Sequence, residues 1–243
     1  MYLFYAVLNF TLSGALGAIG ILTLKKVSAP KEVVFAALPL LFALHQFSEG
    51  FVWLGVSHLI EPRALEFAEG VYIFYAQGLL QFLVPLAIWL LESNKMRKQI
   101  IFILMIIGGL LTAYTVWGLS IEPTSVSVRE NSLAYVNPWT DNRLVGITYV
   151  ITTCGSLMLS SSIAIQLFGF LNLVGLTLIY YIKPYAFTSL WCFYAAVVSV
   201  LLYYYFVERR IAFLQNIRRK ERVLSDILEK ELNDLQRHIR FKF

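Results

Sequence analysis

The chain has 243 residues, of which 58% are hydrophobic and 14% are charged, and its formal net charge at pH 7 is +5. Its mean hydropathy of +0.69 is too high for a soluble globular protein of this length. The composition excludes that class, indicates an integral membrane protein whose first partner is the lipid bilayer, and predicts no nucleic-acid partner.

Seven apolar windows each come near the ~20 residues that a helix needs to cross a bilayer. They cover residues 3–24, 33–56, 71–91, 100–119, 144–161, 164–182 and 187–206. Only the polar residues 160–162 separate the fifth and sixth windows, so one long buried hairpin would give nearly the same pattern. The sequence predicts an all-α fold, with a seven-helix transmembrane bundle over residues 1–208.

The first window contains two pairs of small residues that are four positions apart, Ser13 with Gly17 and Gly14 with Ala18. Such pairs allow two membrane helices to approach closely. The partner is either another helix of the same chain or a second copy in a homo-oligomer. We favour the intramolecular contact, because a seven-helix bundle has many internal interfaces.

Basic residues predict the orientation, because short loops rich in lysine and arginine stay on the cytoplasmic side. No cationic region precedes the first window and no cleavage site follows it, so we expect it to be a retained helix in a bacterial inner membrane. The N-terminus is expected outside and the C-terminus in the cytoplasm. The residues that set this orientation are Lys25, Lys26, Lys31, Lys95, Arg97, Lys98, Arg209 and Arg210.

Two ionisable residues, His45 and Glu49, lie inside the second window and share one helix face, because they are four residues apart. Gln77 and Gln81 have the same spacing in the third window, at a similar depth. Ionisable groups at membrane depth are costly and usually functional. We therefore predict a ligand-binding or proton-binding site of these four residues with Asn9. Interhelical hydrogen bonds of ~0.6 kcal/mol each are the alternative for the glutamines.

Further polar residues of the predicted outer half could line the same site. Each one alone means little, because hydroxyls in membrane helices usually bond to backbone carbonyls. The loop over residues 120–143 is either a lid over the bundle or disordered, and Tyr135 and Trp139 favour packing. The lining residues are Thr152, Thr153, Ser156 and Ser189.

The sequence lacks the residues that several cofactors require. A retinal pigment needs a lysine in the last window, and residues 187–206 contain none. A bis-histidine haem needs two histidines at membrane depth, whereas only His45 lies there. Cys154 and Cys192 have no metal-ligand spacing, and no phosphate-binding loop is present. We therefore predict no cofactor and no metal site.

Three functions remain open. The first is a bundle whose His45, Glu49 and Gln77 site opens to the outer side and binds or translocates a small polar ligand, a cation or a proton. The second is an intramembrane enzyme with Glu49 and His45 as an acid–base pair. The third is a sensor or scaffold that signals through its C-terminal helix. We favour the first, because no nucleophile with recognisable spacing accompanies the pair.

Residues 209–243 form a second region with ten basic and five acidic residues. An apolar stripe at helical spacing predicts an amphipathic cytoplasmic helix. It either lies on anionic lipid headgroups or pairs chains as a short coiled coil, and the basic cluster beside the membrane favours the first. The stripe consists of Ile217, Leu224, Leu228, Leu235 and Ile239.

Four segments resemble those of a bacterial family of multi-span membrane proteins known only as a domain of unknown function. The segments cover residues 40–54 (LLFALHQFSEGFVWL), 154–161 (CGSLMLSS), 167–175 (LFGFLNLVG) and 187–201 (FTSLWCFYAAVVSVL). The resemblance implies a seven-helix integral membrane fold and supplies no activity. Members typically begin Met-Cys-Phe-Ser, whereas this chain begins Met-Tyr-Leu-Phe.

Overall fold

The structure is a computed structural model that describes residues 2–212 together with 214, 215, 217 and 219. This part of the chain forms seven helices and one β-hairpin. The helices are α1 (Tyr2–Leu24), α2 (Pro30–Val56), α3 (Pro62–Leu91), α4 (Lys95–Ile121), α5 (Arg143–Met158), α6 (Ile163–Ile182) and α7 (Pro184–Ala212). The strands are β1 (Ser125–Arg129) and β2 (Ser132–Val136).

The predicted all-α class is confirmed, with the small hairpin as an addition. Six of the seven helices are long and apolar enough to cross a membrane, whereas α5 is shorter. The fifth and sixth windows are separate helices, since α5 ends at Met158 and α6 begins at Ile163. Most of the predicted tail helix over residues 209–243 lies outside the described residues.

Helices α2 and α3 are the most deeply buried of the six long helices. In each of these two helices, 56% of the residues in the most apolar window are buried, whereas the same fraction is 22% in α1 and in α4. Helix α3 packs against α2, α4 and α5. Helix α6 lies between α5 and α7, and α7 in turn contacts α2. Helices α2 to α7 thus form a closed ring, with α1 packed along the outside of α2.

Small residues bring α1 and α2 together, as the sequence predicted for two of them. The Ser13 hydroxyl donates to the carbonyl of Ala43 at 2.8 Å, and a Cβ at Gly17 would lie 3.9 Å from the Ala43 side chain. At Gly20 an added Cβ would come within 2.6 Å of the Leu40 backbone nitrogen. Gly14 has nothing within 4 Å in the described structure, so the intramolecular contact does not use it.

Two irregular turns interrupt the central helices. Residues Phe74–Leu79 of α3 and Ile151–Gly155 of α5 form π-helical turns, which are frequent at functional sites. Two threonines of α4 stabilise the first of them. Thr115 donates to the Gln77 carbonyl at 3.2 Å, and Thr112 donates to the Gly78 carbonyl at 2.8 Å.

Helix α3 is also perturbed by Pro85, which lies inside it. Proline has no backbone N–H, so it cannot bond to the carbonyl four residues earlier, that of Gln81. Helix α4 approaches this carbonyl closely, because a Cβ added at Gly108 would lie 1.9 Å from the Gln81 oxygen. Only a glycine leaves α4 room to pack at this level.

The β-hairpin covers the end of the bundle where α2 ends and α3 begins. Its turn residues Glu130 and Asn131 both have positive φ, 44° and 62°, as a two-residue type I′ turn requires. The Tyr185 hydroxyl donates to the Glu130 carboxylate at 2.6 Å, and Lys183 donates to the Glu130 carbonyl at 3.2 Å. The 120–143 connection thus folds over this end of the bundle and contacts the start of α7.

A buried carboxylate fastens the other end of the ring. Glu32, at the start of α2, is 3% exposed and pairs with Arg209 of α7 at 3.0 Å. Its second oxygen accepts the backbone N–H of Ser28 at 2.8 Å and that of Ala29 at 3.3 Å. The α1–α2 loop and the end of α7 are thus held together.

Glu92 connects two loops at this same end. Its carboxylate accepts the N–H and hydroxyl of Ser161, both at 2.7 Å, and the N–H groups of Ser93 and Asn94. Burial raises the pKa of Glu92, but these hydrogen bonds outweigh it and hold the pKa below its ordinary value. The α3–α4 loop is thereby joined to the α5–α6 turn.

Candidate functional site

The carboxylate of Glu49 connects α2 to α7. Its side chain is 2% exposed, and its Oε1 accepts a hydrogen bond from the Ser189 hydroxyl. Among the described residues no cation lies within ion-pair distance of it. Glu49 is therefore a buried acid whose partner is a neutral hydroxyl.

The sequence placed Gln77 as a nearest partner of Glu49, and the structure gives it another contact. Gln77 donates from Nε2 to the Thr188 hydroxyl at 3.3 Å. Thr188 and Ser189 are consecutive residues at the start of α7, so Glu49 and Gln77 contact neighbouring positions on the same helix. The sequence could not show this, because it does not reveal which helix returns to α2.

His45 forms a stack of three rings that joins α2, α3 and β2. Its imidazole lies 4.0 Å from the ring of Tyr72, with 22° between the planes. Tyr72 in turn stacks on Tyr135 of the hairpin at 4.4 Å and 12°. Neither imidazole nitrogen has a hydrogen-bond partner in the described part of the chain, so His45 and Glu49 are not directly paired.

The hairpin contributes Tyr135 to the site. Leu133, Ala134 and Tyr135 are all buried, and β2 packs against the beginning of α7. Burial raises the pKa of the Tyr135 hydroxyl well above its ordinary value. The hydroxyl is therefore protonated near neutral pH and can donate a hydrogen bond.

Three buried side-chain amides have atoms without a hydrogen-bond partner among the described residues. Gln46 and Gln81 are both 0% exposed, and none of their side-chain nitrogen or oxygen atoms is hydrogen-bonded within the described residues. Asn9 donates to the Tyr5 carbonyl at 3.0 Å, which leaves its Oδ1 unpaired. Unsatisfied buried groups each cost about 1–3 kcal/mol, so water or a bound ion is expected beside them.

Three of the four predicted lining residues are satisfied within their own helix. Thr152 and Thr153 donate to the Tyr149 carbonyl at 3.0 and 2.7 Å, and Ser156 donates to the Thr153 carbonyl at 2.9 Å. The fourth, Ser189, bonds to Glu49. Of this set, Ser189 alone is joined to the predicted centre.

A small apolar cavity of about 30 Å³ lies between five helices of the ring. It is large enough for one water molecule. Its lining includes Tyr149, Cys154, Trp191 and Cys192, but not His45, Glu49 or Gln77. His45 and Glu49 are 1% and 2% exposed, so both side chains are enclosed by the described residues in this structure.

Sequence reasoning missed three residues that lie at the site. Tyr72 and Tyr135 complete the ring stack, and Cys192 is a buried thiol beside Tyr72 and Glu49. Cys192 follows Ser189 by three residues, so helical spacing could have placed both on one face. Tyr135 gave no such signal, because only the tertiary packing of the hairpin brings it to the site.

Comparison with family models agrees with the resemblance to a family of unknown function. Residues 4–217 match a family described as a family of unknown function (DUF6629). The chain belongs to the DUF6629 family. The match is one continuous stretch that includes every site residue from Asn9 to Cys192. Comparison with curated proteins and with solved structures found no match.

Proposed function

We propose that this protein spans a membrane and takes up a proton, or a small cation in its place, at Glu49 from the side that the hairpin covers. Six long apolar helices support the membrane setting. Their outward faces expose large apolar side chains, such as Phe4 at 66% and Leu110 at 68%. Many large apolar side chains exposed along such helices indicate contact with lipid or protein.

The observation that carries the proposal is the environment of Glu49. An ionised carboxylate without a cationic partner is unfavourable in a buried site by several kcal/mol. Protonation removes that penalty, and exposure to water on opening would restore the ionised form. A purely structural position could hold glutamine at lower cost. Glu49 is therefore suited to bind a proton when closed and release it when open.

The tight packing favours a proton or a bare ion over a larger ligand. At 1% and 2% exposure, His45 and Glu49 leave no space for a metabolite-sized molecule beside them. A larger solute would require the hairpin to move away, which would break the Tyr72–Tyr135 stack. The hairpin is accordingly the cover that controls entry to Glu49.

The basic residues orient the proposed path. The Glu32–Arg209 and Glu92–Ser161 contacts lie at the end opposite the hairpin, where the loops carry most of the lysines and arginines. The positive-inside rule places that end in the cytoplasm and the hairpin outside. Cysteines introduced at Ser127 and Lys26 test this, because an impermeant thiol reagent added to intact cells should label only the first. Labelling of the second position alone would reverse the orientation.

Proton flux into proteoliposomes tests the function. A pH-sensitive dye inside vesicles that contain the full chain should report proton entry when an inward gradient is imposed. Glu49→Gln should lower the initial rate at least tenfold, whereas the matched change at exposed Glu66 should leave it unaltered. Equal rates for wild type and Glu49→Gln, or no flux in wild type, would overturn the proposal.

A further inference from the structure

Three oxygen-bearing side chains of α1 and α2 lie at one level of the bundle. The two helices are antiparallel neighbours, with Tyr5 stacked on Trp53 at 4.6 Å and Ser13 bonded to Ala43 at 2.8 Å. Asn9 lies midway between Tyr5 and Ser13 on the buried side of α1. It is therefore level with residues 46–50 of α2, which include Gln46 and Glu49.

The side-chain oxygens at this level exceed the hydrogen-bond donors that they contact. The Asn9 amide nitrogen donates to the Tyr5 carbonyl, which leaves Oδ1 as an unpaired acceptor within the described residues. The Asn9 side chain is only 6% exposed. The Gln46 amide, 0% exposed, is also unpaired. Glu49 adds a carboxylate whose one hydrogen bond within the described part of the chain comes from Ser189. Unpaired acceptors are satisfied by a donor or by a cation.

The chemistry of this set identifies the class of ion. Carboxylate, amide and hydroxyl oxygens are hard ligands, which select ions such as Na⁺, Mg²⁺ and Ca²⁺ over zinc or copper. A group of three His, Cys, Asp or Glu residues arranged for a metal does not occur in the described residues. One carboxylate among neutral oxygens balances a single positive charge. Na⁺ without its hydration shell is also smaller than a water molecule, which suits a closely packed site.

We propose that Asn9, Gln46, Glu49 and Ser189 form a binding site for a monovalent alkali cation. The site rests on the proposed function, because the cation replaces the proton on Glu49. Side-chain rotation of Asn9 and Gln46 brings their amide oxygens to the ion. The Ser189 hydroxyl oxygen ligates the ion while its hydrogen bond to Glu49 is kept. Proton and cation thus compete for one carboxylate.

Thermal unfolding of the purified full chain in Na⁺ tests the site, with choline keeping the ionic strength constant. A ligand that binds only the folded protein raises its Tm with concentration. Wild type should show a saturable rise in Tm with Na⁺ that is larger at pH 8 than at pH 6. Glu49→Gln should abolish the rise, and Asn9→Leu and Gln46→Met should each raise the half-saturating concentration at least tenfold.

The variants separate binding from a structural role. Leucine and methionine are apolar side chains of similar size that remove the unpaired Asn9 Oδ1 and the unpaired Gln46 amide. Asn9→Leu also loses the hydrogen bond to the Tyr5 carbonyl, so without Na⁺ the Tm of each variant should stay close to that of wild type. Thr11→Ala is the control on α1, because that exposed hydroxyl donates to the Val7 carbonyl of its own helix. It should keep the full Na⁺ response. If Asn9→Leu and Gln46→Met lower the Tm without Na⁺ but leave the Na⁺ response unchanged, the proposed site is wrong.

Binding of ²²Na⁺ to the immobilised protein distinguishes this inference from the proposed function. Saturable binding that Glu49→Gln removes supports the cation site. If wild type binds no Na⁺ while proton flux still depends on Glu49, the cation site is wrong and the proton proposal stands. If ²²Na⁺ binds and Glu49→Gln retains it, the ion lies elsewhere and this site is wrong.

Discussion

The hydroxyl of Ser189 on α7 donates a hydrogen bond to the carboxylate of Glu49 on α2. This contact joins the first and last helices of the ring at the level of the candidate site. Helix α7 then continues to Arg209, which pairs with Glu32 at the start of α2. The same two helices are thus connected by a carboxylate at both ends.

Replacing Ser189 by alanine removes the hydrogen bond to Glu49. Leaving a buried acceptor unsatisfied costs about 1–3 kcal/mol, so Ser189→Ala should lower the free energy of unfolding by that amount in a denaturant titration in micelles. Ser48→Ala is the control, because that hydroxyl bonds to the Leu44 carbonyl of its own helix. Equal stability of the two variants would show that Ser189 does not stabilise Glu49.

Replacing Tyr135 by alanine removes the outer ring of the stack and should open the site. Cys154 and Cys192 are the two cysteines of the chain, so a Cys154→Ala background leaves Cys192 as the reporter beside Glu49. Tyr135→Ala should increase the labelling rate of Cys192 by an impermeant thiol reagent at least tenfold. The exposed hairpin change Ser127→Ala should not alter it. An unchanged rate in Tyr135→Ala would mean that the hairpin does not cover this site.

Glu92 gives stability that depends on pH. The pKa of Glu92 is lower in the folded protein than its ordinary value of 4.5, so the folded state favours the ionised form. Its contribution is full above about pH 4.5 and is lost as the pH falls through the lower folded pKa. Glu92→Gln should therefore be less stable than wild type at pH 7, and the two should converge in acid. A constant difference in Tm from pH 7 to pH 3 would contradict this assignment.

The Glu32–Arg209 pair predicts a coupling between α2 and α7. Arg209→Gln leaves Glu32 buried without a cation, although two backbone N–H groups still bond to it. Because Arg209 is 35% exposed, we expect a loss of about 1 kcal/mol, at the upper end for exposed pairs. The double variant with Glu32→Gln should be no less stable than Arg209→Gln alone. Additive losses in this double-mutant cycle would show that the residues do not interact.

The number and order of the helices could be predicted because their signals are local. Each apolar window contains most of one helix, and the cost of a buried ionisable group singles out Glu49 and His45, both of which are buried in the structure. The hairpin also has a local sequence signal. Residues 125–136 alternate small or polar residues with apolar ones on both sides of Glu130 and Asn131, which is typical of two short strands joined by a turn. Pro62 likewise indicated that α3 begins before the apolar window starts.

The partners within the site were beyond a single sequence. Ser189 contacts Glu49 because α7 closes the ring onto α2, and the π-helical turns depend on Thr112 and Thr115 of the neighbouring α4. Both are consequences of tertiary packing between residues more than thirty positions apart. The position of a residue along its helix follows from the sequence, whereas the rotation of the helix and its neighbours do not.

Infrared difference spectroscopy tests most directly whether Glu49 binds a proton. Spectra of the reconstituted full chain are compared between acid and alkaline buffer, and the carbonyl stretch of a protonated carboxylic acid is measured. Wild type and Glu66→Gln should share a carboxylic acid band that appears on acidification and is missing in Glu49→Gln. A band that persists unchanged in Glu49→Gln would contradict proton binding at Glu49.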